Sequence, residues 1–459
     1  MPRRVVKNRR TLIRSMSNPE VARHLLDIIE CAIASVDPYK SVRNRIKRSS
    51  NLLSFNHYNL RLDKFNEILV IGFGKASGKM AEAIEKIFRG FPLRGVISVP
   101  AGSASSLKLK RIETVEAEHP LPGEGSLTAG EKILQLAKDV DRRTFVIALI
   151  SGGGSSLAVA PRPPLTLEDL IKTNKILLRC GADIKEINTI RKHISLIKGG
   201  NLASQLYPST VLNILVSDVP GDRLDTIASG PLVPDETTFH DTFHILRKYR
   251  LYTKLPTNVV KLIESGVVGN IPETPKEGDK VFKKVKNVII ASNRIAVEAS
   301  YQEAKKLGYK PLIISTVVEG EAREVAKMIV SIGKEVLNSN RPVRKPAILL
   351  FGGETTVSVK GKGKGGRNQE MALQAAISLR DVSNMMFLAI GTDGIDGVTD
   401  VAGGMVDTVT YRKMVSFGID PIEYLLDNNS YEALRKVNSI IYTGPTGTNV
   451  NDIYILAVY

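Results

Sequence analysis

Short apolar runs that stop abruptly at glycine, proline or aspartate recur along this chain: EILVIGFG ending at Gly74, RGVISVP at Pro100, TFVIALISGGG at Gly154 and STVLNILVSDVPGD at Asp222. Unbroken Val/Ile/Leu runs without polar alternation are the mark of strands covered on both faces, as in a parallel sheet. Between them SLTAGEKILQLAKDV and TLEDLIKTNKILLRCG repeat their apolar residues at helical spacing, which supplies the crossovers that parallel strands require. This alternation predicts a Rossmann-like three-layer α/β/α domain with a mostly parallel sheet over residues 19–265. Its opening helix follows Ser17-Asn18-Pro19, a capped start. Residues 266–286, rich in Pro, Lys and Glu and without periodicity, read as a linker. A second α/β domain is predicted over 287–459, beginning at NVIIASNRIAVEAS and continuing through AILLFGGETTVSV, MMFLAIGTDGIDG and the final SIIYTGPTGTNVNDIYILAVY. Residues 1–18 read as a basic N-terminal extension.

Composition narrows the class. With 459 residues, 43% hydrophobic and 24% charged, the chain has material for two or three domains and the balance of a globular protein. No stretch approaches about 18 uninterrupted apolar residues, so no membrane partner is expected. The start MPRRVVKNRRTLIR lacks the apolar core of a secretory signal, so the expected location is cytoplasmic. Cys31 and Cys180 are too few for a disulfide framework or a cysteine metal site. The net charge of +17 suits either a nucleic-acid surface or the handling of small anions. No zinc-finger, helix-turn-helix or RNP pattern accompanies it, so a solvated basic arm and surface, without a specific nucleic-acid partner, is the reading.

The strand ends carry the chemistry. In open α/β sheets ligands gather outside the carboxyl ends of strands. The first such end, GFGKASGK, holds Lys75 behind a Gly-x-Gly turn, where a fixed lysine can neutralise a phosphate; a surface lysine beside a tight turn is the competing reading. It is neither a Walker A loop nor a GxGxxG fingerprint. The second, LISGGGSSL, offers the bare backbone of Gly152, Gly153 and Gly154 with the hydroxyls of Ser151, Ser155 and Ser156, a cradle for a phosphate or carboxylate. The Gly-x-Ser-x-Gly order of a hydrolase elbow is absent. NTIRKHISLIKGG places Arg191 and Lys198 before a Gly-Gly pair, though it also reads as a basic helix face. In VSDVPGD, Asp218 and Asp222 flank a Pro-Gly turn, where carboxylates bind Mg²⁺, accept a proton, or merely brace the loop. The second half contributes Glu354, Arg367, Asn368, Asp393, Asp396 and Asn449, all in Gly-rich loops. Cations for phosphate, carboxylates for magnesium and glycine cradles are the components of a phosphoryl transferase. No zinc-spaced His/Cys/Glu cluster is present.

GFGKASG, EAEHPLPGEGS, LISGGGSSL, INTIRKHIS, VSDVPGD, GGETTV, GKGGRNQE, GTDGIDG and TGPTGTNVND, in this order, resemble the glycerate kinases built from an N-terminal α/β domain and a C-terminal MOFRL domain, of the glycerate 2-kinase type found in archaea. The resemblance runs from about residue 20 to the C-terminus. It implies ATP- and Mg²⁺-dependent phosphorylation of D-glycerate at the 2-hydroxyl, giving 2-phospho-D-glycerate and ADP in an Entner–Doudoroff route. It also implies an active site in the cleft between the two domains, and a homodimer is the assembly considered. Carried over by motif, Lys75 and Arg367 are the principal catalytic cations and Asp218 the candidate base. The Ser151–Ser156 loop, Arg191, Lys198 and Asn368 fall to substrate or phosphate. Glu354, Asp393, Asp396 and Asn449 fall to the nucleotide side, with Asp218 and Asp393 as candidate Mg²⁺ ligands. Two rival readings are an NAD(P)H-dependent hydroxypyruvate reductase, which lacks its GxGxxG turn here, and a non-catalytic nucleic-acid binder, which leaves the glycine loops unexplained.

Overall fold

The computed structural model describes residues 4–56 and 58–459, which form two compact units: Pro38–Ile290, and the residues up to Asp37 together with Ala291–Tyr459. In the first unit a small antiparallel sheet, β1 (Ile46–Ser49), β2 (Leu52–Phe55) and β3 (Tyr58–Arg61), precedes the main sheet. The main sheet comprises β4 (Glu67–Phe73), β5 (Leu93–Pro100), β6 (Ile112–Ala117), β7 (Thr144–Ser151), β8 (Thr210–Val216) and β9 (Val285–Ala291), in the order β6-β5-β4-β7-β8-β9. The pairings β6–β5, β5–β4, β4–β7 and β7–β8 are parallel. Every residue of β7 is buried, as its unbroken apolar run requires of a central strand. Alternate residues Leu69, Ile71, Val146, Ala148 and Ile150 point to one face, where Ala129, Ile133 and Ala137 of the helix Glu124–Lys138 meet them. The chain leaves β4 toward β5 on one side and resumes at β7 on the other, so β4 and β7 flank the topological switch point.

The second unit holds a mixed sheet of β10 (Lys310–Val318), β11 (Ala347–Gly353), β12 (Met385–Gly391), β13 (Gly403–Asp407), β14 (Ile440–Ile441) and β15 (Asp452–Val458), ordered β10-β11-β15-β12-β13-β14. Only β10–β11 is parallel; the strand latest in the sequence, β15, lies at the centre, antiparallel to both β11 and β12 and buried along its length. The helix Arg367–Ser378 packs its Met371, Ala372 and Ala375 into the core with Phe387, Leu349 and Leu456.

Three features differ from the sequence reading. NVIIA does not open the second domain: it belongs to β9, the edge of the first sheet beside β8, where the Val211 N–H donates to the Lys284 carbonyl (3.0 Å). The stretch 266–286 is no free linker. Asp235 N–H donates to the Pro275 carbonyl, Thr274 donates to the buried Asp235 carboxylate (2.9 Å), and Val281 and Phe282 pack against the first unit's core. The basic extension is folded from Arg4 onward and belongs to the second unit, and so does the helix Pro19–Ser35, which the sequence reading made the opening helix of the first. The extension's helix Arg9–Ser15 buries Leu12, Val6 and Met16 are also buried, Arg9 pairs with Asp27 (2.6 Å) and Glu30 (3.1 Å), and Ser17 donates twice to Asp407 (2.6 Å each). A run of cations hid three apolar anchors at positions 6, 12 and 16. Burying each large apolar side chain stabilises by about 1.5–3 kcal/mol, so deleting residues 1–17 should cost several kcal/mol. Urea unfolding of full-length and shortened chains checks this; equal midpoints would mean that the segment is a dispensable arm.

Candidate active site

At the switch point the loops after β4 and β7 leave side by side, with Phe73 in register with Ile150. The two loops are stitched together: the Lys75 N–H donates to the Gly152 carbonyl (3.0 Å) and the Ala76 N–H to Ser151 Oγ (2.9 Å). Glycine is required here by space as well as by conformation. A Cβ on Gly152 would lie 1.8 Å from Asp218 Oδ2, and one on Gly153, whose φ is +78°, would sit 3.0 Å from His119 Cδ2 and 3.4 Å from Lys75 Cε. The absent side chains therefore let Lys75, His119 and Asp218 converge on one stretch of bare backbone. Burial, assisted by the charge of Lys75, lowers the His119 pKa and favours its neutral imidazole.

Beside this loop lies a pocket of about 180 Å³ lined in part by His119, Gly153, Ser155, Ser156, Arg191 and Lys198. Arg191 sits in the last turn of the helix Ile184–His193, and its Nε donates to Asn174 Oδ1 (2.7 Å). Lys198 Nζ donates to the Ser155 carbonyl (2.7 Å), while Ser155 Oγ meets Ser229 Oγ (2.9 Å), which donates to Asn188 Oδ1 (3.2 Å). Burial, reinforced by the charge of Arg191, pushes the Lys198 ammonium down to about 7. The buried Lys198 and the half-buried Arg191 repel each other at this pocket, and an anion placed between them would relieve both.

In the second unit Arg367 opens the helix Arg367–Ser378 immediately after Gly366. Asp396 caps that helix: its carboxylate accepts the Asn368 N–H (3.1 Å), the Gln369 N–H (2.9 Å) and the Gln369 side chain (2.8 Å), satisfying donors that a helix start leaves open. Burial nonetheless raises the Asp396 pKa. Arg367 Nη1 donates to Glu354 Oε1 (2.5 Å), and its Nε and Nη2 bind Asp452 (2.6 and 3.2 Å). Burial opposes the Arg367 charge, but Asp452 and then Glu354 hold its pKa above the ordinary value. Asp452 is fully buried, and burial pushes its carboxyl up to about 7 against the pull of Arg367. A cavity of about 690 Å³ adjoins the arginine, lined in part by Thr355, Gly365, Gly366, Asp393 and Asp396.

The sequence-selected residues thus divide. Lys75, Gly152, Gly153 and Asp218 stand together, and Ser155, Ser156, Arg191 and Lys198 line the adjoining pocket. Ser151 and Gly154 lie behind that surface: Ser151 is buried and holds the Lys75 loop, and a Cβ on Gly154 would meet Phe73 and Ala228. Asn368 and Asp396 are buried partners of each other, and Glu354 faces Arg367. Asp393 and Asn449 each accept a hydrogen bond from the backbone two residues on, from Ile395 and Asn451 (3.1 Å each). Asp218 and Asp393 belong to different units, and among the described residues no three His, Cys, Asp or Glu side chains cluster as a ready metal cage. His119 and Asp452 escaped selection although both lie within quoted motifs, EAEHPLPGEGS and TGPTGTNVND.

Fixed lysine and arginine at strand-end glycine loops, in two α/β units, define a protein of the class that handles small anionic ligands. Residues 24–264 match a family described only as a domain of unknown function, DUF4147, and residues 347–452 match the MOFRL family. A glycerate 2-kinase of Pyrococcus horikoshii is 44% identical over 94% of this chain and 96% of its own length. A protein of Agrobacterium vitis, provisionally named a hydroxypyruvate reductase, is 39% identical over 94% of this chain and 93% of its own. The solved structure of a glycerate kinase from Thermotoga maritima is 38% identical, covers 96% of this chain and all of that one, and superposes with a TM-score of 0.86. The chain belongs to the glycerate kinase family that carries a MOFRL domain.

The Lys198 environment has a measurable signature. Its folded pKa of about 7 lies below the roughly 10.4 of an unfolded lysine, so between those values the unfolded chain binds more protons and stability rises with pH. Urea unfolding at pH 7, 8 and 9 should show wild type gaining stability relative to Lys198→Met; a constant difference would rule out the depressed ammonium.

Proposed function

We propose that this protein transfers the γ-phosphoryl group of ATP to the 2-hydroxyl of D-glycerate, forming 2-phospho-D-glycerate and ADP. The observation that carries this reading is the convergence of Lys75, His119 and Asp218 on the Gly152–Gly153 backbone at the switch point, beside a pocket holding Arg191 and Lys198. A small hydroxy acid matches that arrangement: its carboxylate suits Arg191 and Lys198, and its hydroxyl suits a carboxylate acceptor at the glycine loop. Full-length similarity to proteins named for glycerate phosphorylation supports it further.

In this mechanism Asp218 accepts the 2-hydroxyl proton as the oxygen attacks the γ-phosphorus and ADP departs with the bridging electron pair. Lys75 neutralises charge on the transferring group. Arg367 contacts phosphate in the same role, through the two N–H groups not engaged by Glu354 and Asp452. Mg²⁺ keeps several waters and takes only one or two carboxylates besides the nucleotide phosphates. Asp218 in the first unit and Asp393 in the second are each a candidate carboxylate for the ion, which would screen the phosphate charge. The setting is proposed to be cytoplasmic, in an Entner–Doudoroff route, with a homodimer as the assembly; no helix among the described residues is long and apolar enough to cross a membrane.

The reductase reading is less well supported. In a dinucleotide-binding sheet the second strand ends near a carboxylate for the ribose, whereas β5 ends in Ser98-Val99-Pro100 and is followed by Ala101. The deciding assay is ADP release with ATP, Mg²⁺ and D-glycerate, the product being offered to enolase without a phosphoglycerate mutase. ADP together with phosphoenolpyruvate is expected. ADP alone would move the phosphate to O3, and no ADP, with oxidation of NADH or NADPH by hydroxypyruvate, would replace the reading altogether. Arg367→Ala should lower turnover by about 10³-fold or more. Gly152→Ala, which forces Asp218 aside, should lower it by about 10²-fold while the fold persists; unchanged turnover in either variant would remove that residue from the mechanism.

A further inference from the structure

The first residue of the central strand β15 belongs to no site selected from sequence, yet the second unit is arranged around it. In register on either side of Asp452 stand Gly353 of β11 and Gly391 of β12, so no neighbouring Cβ crowds the start of this strand. Its carboxylate accepts from Arg367 Nη2 (3.2 Å), from Asn368 Nδ2 (3.1 Å) and from the Tyr454 hydroxyl (3.2 Å), and it forms an ion pair with Arg367 Nε at 2.6 Å. Tyr454, also fully buried, meets Thr355 Oγ1 at 3.4 Å. These partners come from side chains held by regular structure: the helix Arg367–Ser378 and β15 itself.

A guanidinium carries five N–H donors in one plane. Asp452 covers the Nε/Nη2 edge, by an ion pair at Nε and a hydrogen bond from Nη2, and Glu354 takes one N–H of Nη1. Two remain, one on each terminal nitrogen, which is the number a bidentate grip on an oxyanion uses. Glu354 is 41% exposed and can swing away, whereas the Asp452 side chain has no exposure and no alternative position. The plane of the arginine is therefore set by Asp452.

We propose that Asp452 is the positioning residue for Arg367, orienting the guanidinium so that its two remaining N–H donors face phosphate. This inference rests on the proposed phosphotransfer and on the place of Arg367 in it. Asp452 itself, being buried behind the arginine, touches no substrate. A residue of this kind governs geometry at the transition state more than ground-state binding, so its loss should lower kcat and leave the glycerate KM nearly unchanged.

The test is a double-mutant cycle on ADP release by the full-length protein, using Asp452→Asn, Arg367→Ala and the combination, with unfolding midpoints recorded for each. Asp452→Asn should lower kcat by roughly 10- to 100-fold, and the double variant should match Arg367→Ala within about twofold, because a positioner has nothing left to position. Losses that multiply in the double variant would make Asp452 a merely structural residue and overturn the proposal, as would an unchanged kcat in Asp452→Asn. Tyr454→Phe, which removes one donor without creating an unpaired charge, runs the same cycle if Asp452→Asn fails to fold; it should show a smaller kcat loss that likewise vanishes in the Arg367→Ala background. Full activity in Arg367→Ala alone would instead sink the phosphotransfer role of the arginine, and the positioning of it with that role.

Discussion

A carboxylate buried with no access to water cannot stand alone, and in the second unit Asp452 imposes that constraint on everything around it. The arginine that opens a helix, the asparagine after it and a tyrosine two residues along the same strand all turn toward it. Asp396 meets the same need from the other side of Asn368 by capping the helix start. The result is a network in which helix, central strand and two loops fix one another, leaving part of one guanidinium to face a cavity. Charge that is expensive to bury is placed where it also gives direction.

The first unit solves a similar problem with emptiness. Side chains at positions 152 and 153 would occupy the space that Asp218, His119 and Lys75 take up. The adjoining pocket pairs Arg191 with a lysine that burial has brought close to losing its proton. An anion bound there, as proposed, would relieve the repulsion between the two charges.

What could be read from the sequence follows a physical line. The strands and the Gly-rich loops were legible because a doubly covered strand needs an unbroken apolar run, and a close backbone approach needs glycine; both signals are local. β9 and the N-terminal helices were misplaced because which sheet or core an apolar segment joins depends on partners far along the chain, such as Lys284 with Val211 or Ser17 with Asp407. His119 and Asp452 were overlooked for a related reason. Each lies in a motif that was noticed, but burial and an arginine contact spanning residues 367 to 452 leave no trace in spacing. Ser151, Asn368 and Asp396 show the converse: polar residues in glycine loops whose hydrogen bonds turn inward.

The place of β15 between β11 and β12 has a consequence for how the chain assembles. The first unit is a continuous segment, Pro38–Ile290, and can close while later residues are still being made. The second unit is divided, with its opening helices synthesised before that segment and its central strand after it. Until β15 arrives, β11 and β12 each present an open edge, the condition that invites pairing between chains. The strand that starts with Asp452 is thus the closing stitch of this unit, and a ribosome paused shortly before it would expose two sheet edges at once.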